Sequence, residues 1–222
     1  VDWFLDRQAN RPQAMKKKPH LYIPGLLSSC NQSRFPVSTL FDQDWESPGT
    51  HSIQLLVNNH QRTAMIHVPE CVGSDPLAVV FMFHGGGGTA AAIEGTGWIK
   101  QAEESCFFAV FPEGLPPDPS KKASFLTNPQ RWNDGSGRFN QGVDEVEFIS
   151  QLLGELEKNQ AIDPQMIFAT GFSNGARMAF QVGEKMGDQF SAIAPVAGAV
   201  WNQALQLEQP GSLLYITDMD DP

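Results

Sequence analysis

The stretch ATGFSNGARMAF, residues 169–180, places Ser173 between two glycines where a strand-like run gives way to a helix-like run. Apolar MIFAT, residues 166–170, precedes this point, and ARMAF, residues 176–180, follows it. A serine on a tight strand-to-helix turn needs small neighbours, and the turn exposes its hydroxyl. The first amides of the following helix point at the same place and stabilise negative charge there. Ser173 is therefore predicted to be a nucleophile.

Apolar runs along the rest of the chain predict the sheet that this turn requires. Residues 77–83 and 106–111 are continuous apolar runs without alternation, as in strands covered on both faces. A helix-like segment over 143–158 has a capping-box-like start, in which Glu147 follows Asp144 by three residues. A hairpin comes before these elements, and two further strand-like runs follow the serine turn. Strands alternating with helices predict an α/β fold with a mostly parallel sheet and helices on both faces.

A glycine run, FHGGGGTA at residues 83–90, follows the first of these buried strands. Such a turn lets backbone N–H groups face inward, so Gly85 and Gly86, with the backbone N–H of Asn174, are predicted to form an oxyanion hole. A phosphate-binding loop is the alternative, but the run lacks the G-K-[ST] ending of that motif. His84 is expected to brace the turn rather than to act as a base.

Composition excludes several classes of function. The formal net charge of -10 and the pI near 4.8 disfavour binding to nucleic acid and to anionic lipid headgroups. No apolar run approaches the ~20 residues that a membrane-spanning helix needs. The length of 222 residues is that of one domain.

Six motifs occur in one order along the chain: FHGGGGTA, FPEG, RWND, VDEVEFI, ATGFSNGARMAF and AIAPVAG. Together they span most of residues 51–200, and they resemble the α/β-hydrolase superfamily. Within it, the chain resembles the secreted esterases grouped with polyhydroxybutyrate depolymerases and feruloyl or acetylxylan esterases. The resemblance implies hydrolysis of a carboxylic ester through an acyl-serine intermediate at Ser173, without a cofactor or a metal. It also implies a polyester or a plant cell-wall ester as the substrate.

The same resemblance implies the acid of a catalytic triad. LLYITDMDDP, residues 213–222, aligns with the family pattern H-G-x-x-D-P and places the acid at Asp221. Thr217 and Asp218 stand where the family has His-Gly, so Asp218 and Asp220 remain alternative acids, and a solvated acidic loop is the further alternative.

The base is expected outside the sequence. In the family a histidine follows a further strand after the acid, whereas the five histidines of this chain all precede Ser173. We therefore expect the histidine, together with the last strand and helix of the sheet, to lie beyond Pro222. The 222 residues alone are expected to be inactive.

The N-terminal part divides into a leader and a tether. Residues 1–30 are a predicted leader whose segment 15–30, MKKKPHLYIPGLLSSC, has a basic start, a short apolar stretch and a lipobox-like end at Cys30. Lipidation of Cys30 would make the protein a bacterial cell-envelope lipoprotein, extracellular or periplasmic; a polar leader with an incidental cysteine is the alternative. Residues 31–50 are a predicted tether, and residues 51–222 are the α/β-hydrolase domain.

Two further expectations depend on the resemblance. It places the region of Cys71 beside Cys106 on antiparallel neighbours, which implies a disulfide; two buried reduced thiols are the alternative. Trp132 of the RWND motif lies in the long loop over the site. There it either stacks on a sugar or aromatic acyl group of the substrate or packs inward as an anchor.

Two other functions remain open. A non-catalytic binding protein on the same fold is favoured if the full-length chain also lacks a histidine after Asp221. A peptidase on this fold is a minor alternative, because residues 1–50 hold nothing that could form a gating domain. Acyl and alcohol specificity depend on pocket shape, which the sequence does not reveal.

Overall fold

Eight strands form one sheet in the computed structural model, which describes residues 40–41, 47–199 and 211–218. These residues belong to one compact unit that spans Pro36–Pro222. The strands are β1 (Leu40–Phe41), β2 (Gly49–Val57), β3 (His60–Val68), β4 (Leu77–Phe83), β5 (Phe107–Pro112), β6 (Ile162–Phe172), β7 (Ala192–Val196) and β8 (Ser212–Leu213). Their order across the sheet is β1-β2-β3-β5-β4-β6-β7-β8.

The sheet is parallel from β5 to β8 and antiparallel at its other edge. Strands β2 and β3 form the predicted hairpin through Asn58 and Asn59, whose φ angles of 48° and 65° are those of a tight hairpin turn. The connections from β4 to β5, from β5 to β6 and from β6 to β7 contain helices, as parallel strands require. The predicted mostly parallel α/β sheet is therefore confirmed.

Helices fill the connections after β4, β5 and β6. They are α1 (Ala90–Ile93), a π-helical turn (Glu94–Trp98), α2 (Ile99–Ser105), α3 (Glu145–Asn159) and α4 (Asn174–Lys185). Gly97 adopts a φ of 94° and interrupts the helical stretch between β4 and β5. Helix α3 begins as predicted, because the Asp144 side chain accepts a hydrogen bond from the Glu147 N–H at 3.0 Å.

The core lies on both faces of the central strands. All six residues of β5 are buried, and so are six of the seven residues of β4, so neither face of these strands is open to water. Helix α3 contributes Phe148, Leu152 and Leu156 to the same core. Each buried side chain of this size stabilises the fold by about 1.5–3 kcal/mol. The continuous apolar runs in the sequence reflect this two-sided burial.

The sheet includes four residues of the segment 31–50 that the sequence assigned to a tether: Leu40 and Phe41 of β1, and Gly49 and Thr50 at the start of β2. Leu40 pairs with Gln54, and Phe41 pairs with Ile53, so β1 extends the sheet beside β2. Residues 1–39, with the predicted leader and Cys30, lie outside the described part of the chain. Across the residues that the structure describes, every helix is too short or too polar to cross a membrane.

Candidate active site

Ser173 lies on a strained turn between β6 and α4. Its backbone angles are φ 55° and ψ −112°, a conformation that costs a non-glycine residue about 1–3 kcal/mol. Neighbouring hydrogen bonds hold it there: the Ser173 N–H donates to the Val196 carbonyl at 3.0 Å, and the Ala176 N–H donates to the Ser173 carbonyl at 3.1 Å. The predicted strand-to-helix turn is thus present at Ser173.

The glycines on either side of Ser173 are required by close backbone contacts. A Cβ added to Gly175 would lie 2.1 Å from the carbonyl oxygen of Phe83 at the end of β4. A Cβ added to Gly171 would lie 2.3 Å from the carbonyl oxygen of Gly175. Neither position can hold a side chain unless the backbone moves, which explains the G-x-S-x-G spacing.

The glycine turn after β4 lies against Ser173. A Cβ at Gly85 would lie 3.7 Å from the Cβ of Ser173, and one at Gly86 would lie 3.7 Å from the Cβ of Asn174. The Gly87 N–H donates to the Gln130 carbonyl at 2.7 Å, but the N–H groups of Gly85 and Gly86 meet no acceptor in the part of the chain described here. Asn174 is the first residue of α4, where an N–H has no partner within the helix. The predicted oxyanion-hole residues therefore surround Ser173.

His84 holds the glycine turn in place. Its Nδ1–H donates to the Gly85 carbonyl at 2.8 Å, and its Nε2 accepts from the Gly114 N–H at 2.9 Å. Burial lowers the pKa of His84 below its ordinary value, against a smaller opposing effect of the bond to Gly85. The ring is therefore neutral, and both nitrogens are occupied. His84 has the bracing role that the sequence suggested.

Trp132 packs inward beneath the turn, so the prediction that it stacks on the substrate is wrong. The side chain is fully buried, at 0% exposure, and contacts the rings of Phe83 and His84 at centroid distances of 5.4 and 5.0 Å. Its indole N–H donates to the His84 carbonyl at 2.9 Å, and its backbone N–H donates to Asn174 Oδ1 at 2.8 Å. The alternative, an inward-facing loop anchor, describes Trp132 correctly.

Asp134 ties the same loop to the serine turn, a role that the sequence analysis missed. Its Oδ2 accepts from Asn174 Nδ2 at 3.0 Å and from Arg177 Nη1 at 2.9 Å, and its Oδ1 accepts from the backbone and hydroxyl of Ser136. Burial alone would raise the pKa of Asp134, but the hydrogen bonds from Ser136 and Arg177 outweigh it and lower the pKa. Asp134 is therefore an anionic partner that holds Asn174, the residue after Ser173.

A buried ion pair anchors the other side of the loop. Arg62 Nη2 and Glu145 Oε2 are 2.6 Å apart, and each side chain is 1% exposed. Arg62 Nη2 also donates to the Glu113 carbonyl at 3.0 Å, while Glu145 Oε1 accepts from the Asn133 N–H at 3.0 Å. The pair thereby joins β3, the start of α3 and the RWND segment into one unit.

Apolar side chains border the glycine turn on its outer side. Phe172, directly before Ser173, is 58% exposed, and its Cδ1 would lie 3.3 Å from a Cβ at Gly85. Phe125 is 71% exposed, and its ring covers Gly87, where an added Cβ would lie 2.7 Å from Cδ2. Leu126 beside it is 86% exposed. Solvent-facing side chains of this size beside Ser173 offer contact area for an apolar ligand.

The segment before the predicted acid runs beside the end of β7, which is also the part of the sheet that contacts Ser173. The Ile216 N–H donates to the Pro195 carbonyl at 3.0 Å, and the Ala197 N–H donates to the Ile216 carbonyl at 2.8 Å. The chain after β8 therefore runs beside β7 toward Val196, which accepts from Ser173. Asp218 is exposed at the end of this run, and Asp220 and Asp221 lie outside the described residues.

A disulfide joins Cys71, which follows β3, to Cys106, which precedes β5. The two Cα atoms are 6.0 Å apart. Strands β3 and β5 are antiparallel neighbours, so the end of one lies beside the start of the other.

Comparison with known proteins identifies esterases as similar chains. No family model matches the sequence. The poly(3-hydroxyalkanoate) depolymerase C of Paucimonas lemoignei is 25% identical over 201 residues, which are 90% of this chain and 44% of that protein. Feruloyl esterase D of Neurospora crassa is 27% identical over 145 residues, 64% of this chain and 47% of that protein. The chain thus spans about half the length of these curated relatives, at 44% and 47%.

Solved structures of esterases share the fold. The acetyl xylan esterase from Aspergillus awamori superimposes with a TM-score of 0.53 at 18% identity, covering 71% of this chain and 57% of that one. The poly(3-hydroxybutyrate) depolymerase from Bordetella parapertussis gives a TM-score of 0.51 at 15% identity, with coverages of 72% and 58%. The predicted α/β-hydrolase fold and the resemblance to this group of esterases are confirmed.

Proposed function

We propose that this chain is the serine-bearing part of a carboxylic ester hydrolase that works through an acyl-serine intermediate. The observation that carries the proposal is the geometry of Ser173, which is held at φ 55° beside the glycine turn, where a Cβ added at Gly85 would lie 3.7 Å from the Ser173 Cβ. A strained serine beside backbone N–H donors that lack acceptors is built for attack on a carbonyl carbon. The similarity to poly(3-hydroxyalkanoate) depolymerase and feruloyl esterases supports an ester as the substrate.

In the proposed reaction, Ser173 Oγ forms a bond to the ester carbonyl carbon and gives its proton to a base. The carbonyl oxygen becomes an oxyanion, which accepts hydrogen bonds from the N–H groups of Gly85, Gly86 and Asn174. Each such donor contributes about 2.7–4 kcal/mol to the stability of the transition state. The intermediate then collapses, the alcohol leaves with the proton, and water hydrolyses the acyl-serine to release the acid and regenerate the hydroxyl.

The other two members of the triad are assigned by the family pattern. Asp221 is the proposed acid, with Asp218 and Asp220 as alternatives, and it follows a run that leads toward the edge where Ser173 lies. The proposed base is a histidine outside these 222 residues, because all five histidines precede Ser173 and both ring nitrogens of His84 are engaged. The full-length protein, and not this chain alone, is therefore the proposed active form.

The proposed substrates are polyesters or plant cell-wall esters with an apolar part next to the scissile bond. Phe125, Leu126 and Phe172 support this, because they border the glycine turn and remain exposed. No nucleic-acid partner is proposed for a chain with a net charge of -10.

The proposed location is outside the cytoplasm, either as a secreted protein or as a lipoprotein anchored through Cys30. The disulfide between Cys71 and Cys106 supports it, because such bonds persist mainly in oxidising compartments. Mass spectrometry of the mature N-terminus would distinguish a lipidated Cys30 from an unmodified one.

A non-catalytic binding protein on the same fold is the second candidate. It is favoured if the full-length protein also carries no histidine after Asp221, which its complete sequence would establish.

The test is hydrolysis of 4-nitrophenyl butyrate by the full-length protein and by its Ser173→Ala variant. We expect the variant to lose at least about a thousandfold in kcat, while Ser74→Ala, a change at an exposed loop serine, keeps the activity. Circular dichroism establishes that each variant is folded. Hydrolysis that persists in Ser173→Ala, or a folded full-length protein that hydrolyses no ester, would refute the assignment.

A further inference from the structure

We infer that Arg131 makes this site select esters that carry a carboxylate a few bonds away from the scissile carbonyl. Such a carboxylate would bind the guanidinium beside the glycine turn while Ser173 attacks the ester. The inference rests on the proposed function and adds the class of ester to it.

The side chain of Arg131 borders the predicted oxyanion hole. A Cβ at Gly86 would lie 3.9 Å from both Cγ and Nε of Arg131, and 3.7 Å from the Cβ of Asn174. Arg131 and Asn174 therefore share the space around Gly86, and Asn174 is the residue after the nucleophile. A group bound to this guanidinium lies within the reach of a small ester that is also bound at Ser173.

Both the backbone and the guanidinium of Arg131 are fixed. The Arg131 N–H donates to the Leu115 carbonyl at 2.9 Å, and the Arg131 carbonyl accepts from the Leu115 N–H at 3.1 Å and from Asn140 Nδ2 at 2.6 Å. The guanidinium carbon lies 4.2 Å from the ring centre of Phe139. Stacking of this kind orients the planar group in advance, so less conformational entropy is lost when it binds a carboxylate.

The charge of Arg131 distinguishes it from the other two arginines near the site. Arg62 is paired with Glu145, and Arg177 is paired with Asp134. By contrast, within residues 47–199 and 211–218 no carboxylate lies within ion-pair distance of Arg131, and its side chain is only partly buried. Although the chain has a net charge of -10, its own carboxylates do not neutralise this guanidinium in the described residues, so it can bind an anionic ligand. A guanidinium binds a carboxylate with two parallel hydrogen bonds, which makes that group the matching chemistry.

The esters that satisfy this geometry are half-esters of dicarboxylic acids and short oligoesters that end in a free carboxylate. The reaction itself is unchanged, because the carboxylate is bound and not consumed. The ester bond breaks, the acyl-serine forms, and water releases the acid as in the proposed mechanism.

The experiment compares 4-nitrophenyl hydrogen glutarate with 4-nitrophenyl valerate, which has a methyl group where the glutarate has a carboxylate. The full-length protein, Arg131→Gln and Arg131→Lys are assayed, with Lys122→Gln as a control from the same loop. We expect Arg131→Gln to lower the ratio of kcat/KM for the glutarate to that for the valerate about 10- to 100-fold, mainly through KM. Arg131→Lys restores part of the ratio, and Lys122→Gln leaves it unchanged.

A carboxylate on the alcohol side is tested in the same way, with 3-carboxyphenyl butyrate against phenyl butyrate. If Arg131→Gln lowers the kcat/KM ratio for glutarate over valerate, the selected carboxylate lies on the acyl side. If it lowers the ratio for 3-carboxyphenyl butyrate over phenyl butyrate, the carboxylate lies on the alcohol side. High salt should reduce the preference of the unmodified protein, because it screens the charge of Arg131. An equal fall for charged and neutral esters of both pairs would overturn the inference and leave Arg131 a structural residue.

A binding experiment that needs no catalysis tests this inference separately from the proposed function. Monomethyl glutarate is titrated into the full-length Ser173→Ala protein with and without Arg131→Gln, and binding is followed by NMR. Weaker binding after Arg131→Gln supports the inference even if no ester is hydrolysed, whereas equal binding overturns it. Failure of the unmodified protein to hydrolyse any of the esters would refute the proposed function alone.

Discussion

The buried pair of Arg62 and Glu145 offers the sharpest test of what holds the site together. Glu145→Gln keeps the size of the side chain and an oxygen that can accept from the Asn133 N–H, but it removes the negative charge that lies 2.6 Å from Arg62. Both side chains are 1% exposed, so Arg62 cannot recover its solvation in place. Breaking such a pair costs about 3–5 kcal/mol of the free energy of unfolding. For a chain of this size the expected fall in Tm is about 6–20 °C.

The assay is thermal unfolding followed by far-UV circular dichroism, with urea unfolding to obtain the free energy. Glu147→Gln on the same helix is the control, because this glutamate is exposed and its loss should cost less than about 0.5 kcal/mol. Replacing both partners, as Arg62→Met with Glu145→Leu, should recover stability relative to Glu145→Gln, since an apolar pair leaves no charge unpaired. If Glu145→Gln destabilises the protein no more than the control does, the reasoning is wrong.

Three further predictions follow from the site. Gly175→Ala puts a Cβ 2.1 Å from a carbonyl oxygen of β4 and displaces the serine turn, so kcat should fall about a hundredfold; Gly154→Ala in α3, where nothing lies within 4 Å, should leave it unchanged. The pKa of Asp134 is lower in the folded protein than its ordinary 3.8, so its contribution to stability is present above that value and is lost as the pH falls through the folded-state pKa. Urea unfolding from pH 6 to pH 3 should show a weaker acid dependence in Asp134→Asn, and an unchanged slope would contradict the assignment. Replacing Cys71 and Cys106 by serine opens a loop with a sequence separation of 35 and should cost about 3–4 kcal/mol, whereas dithiothreitol should destabilise only the unmodified protein.

Features encoded by neighbouring residues could be predicted from the sequence. The serine turn has its strand, its glycines and its helix within one continuous stretch, and the glycine run follows directly on β4. The start of α3 was found from two residues, Asp144 and Glu147, because a cap depends on local spacing alone. The mostly parallel sheet followed from the order of strands and helices.

Features that depend on contacts between distant parts of the chain could not be predicted. Arg62 and Glu145 are 83 residues apart, and nothing in either local sequence indicates that they meet. The orientation of Trp132 depends on acceptors from His84 and Asn174, which are distant in the sequence, so the sequence left two alternatives. Asp134 stood in a motif that was recognised, but its partners Asn174 and Arg177 are defined only by the folded structure. Asp221 stays a prediction.

The attachment of the long loop after β5 has a consequence for redesign of substrate preference. Its two ends support the glycine turn, through Gly114 to the His84 ring and through Trp132 to the His84 carbonyl. Its tip, by contrast, is a small antiparallel bridge between Ser124 and Asn128 that presents Phe125 to solvent. For the proposed esterase, saturation mutagenesis confined to the tip, residues 124–127, should therefore alter which ester is accepted and leave the glycine turn in place, whereas libraries that include Trp132 and Asp134 should yield mostly inactive protein.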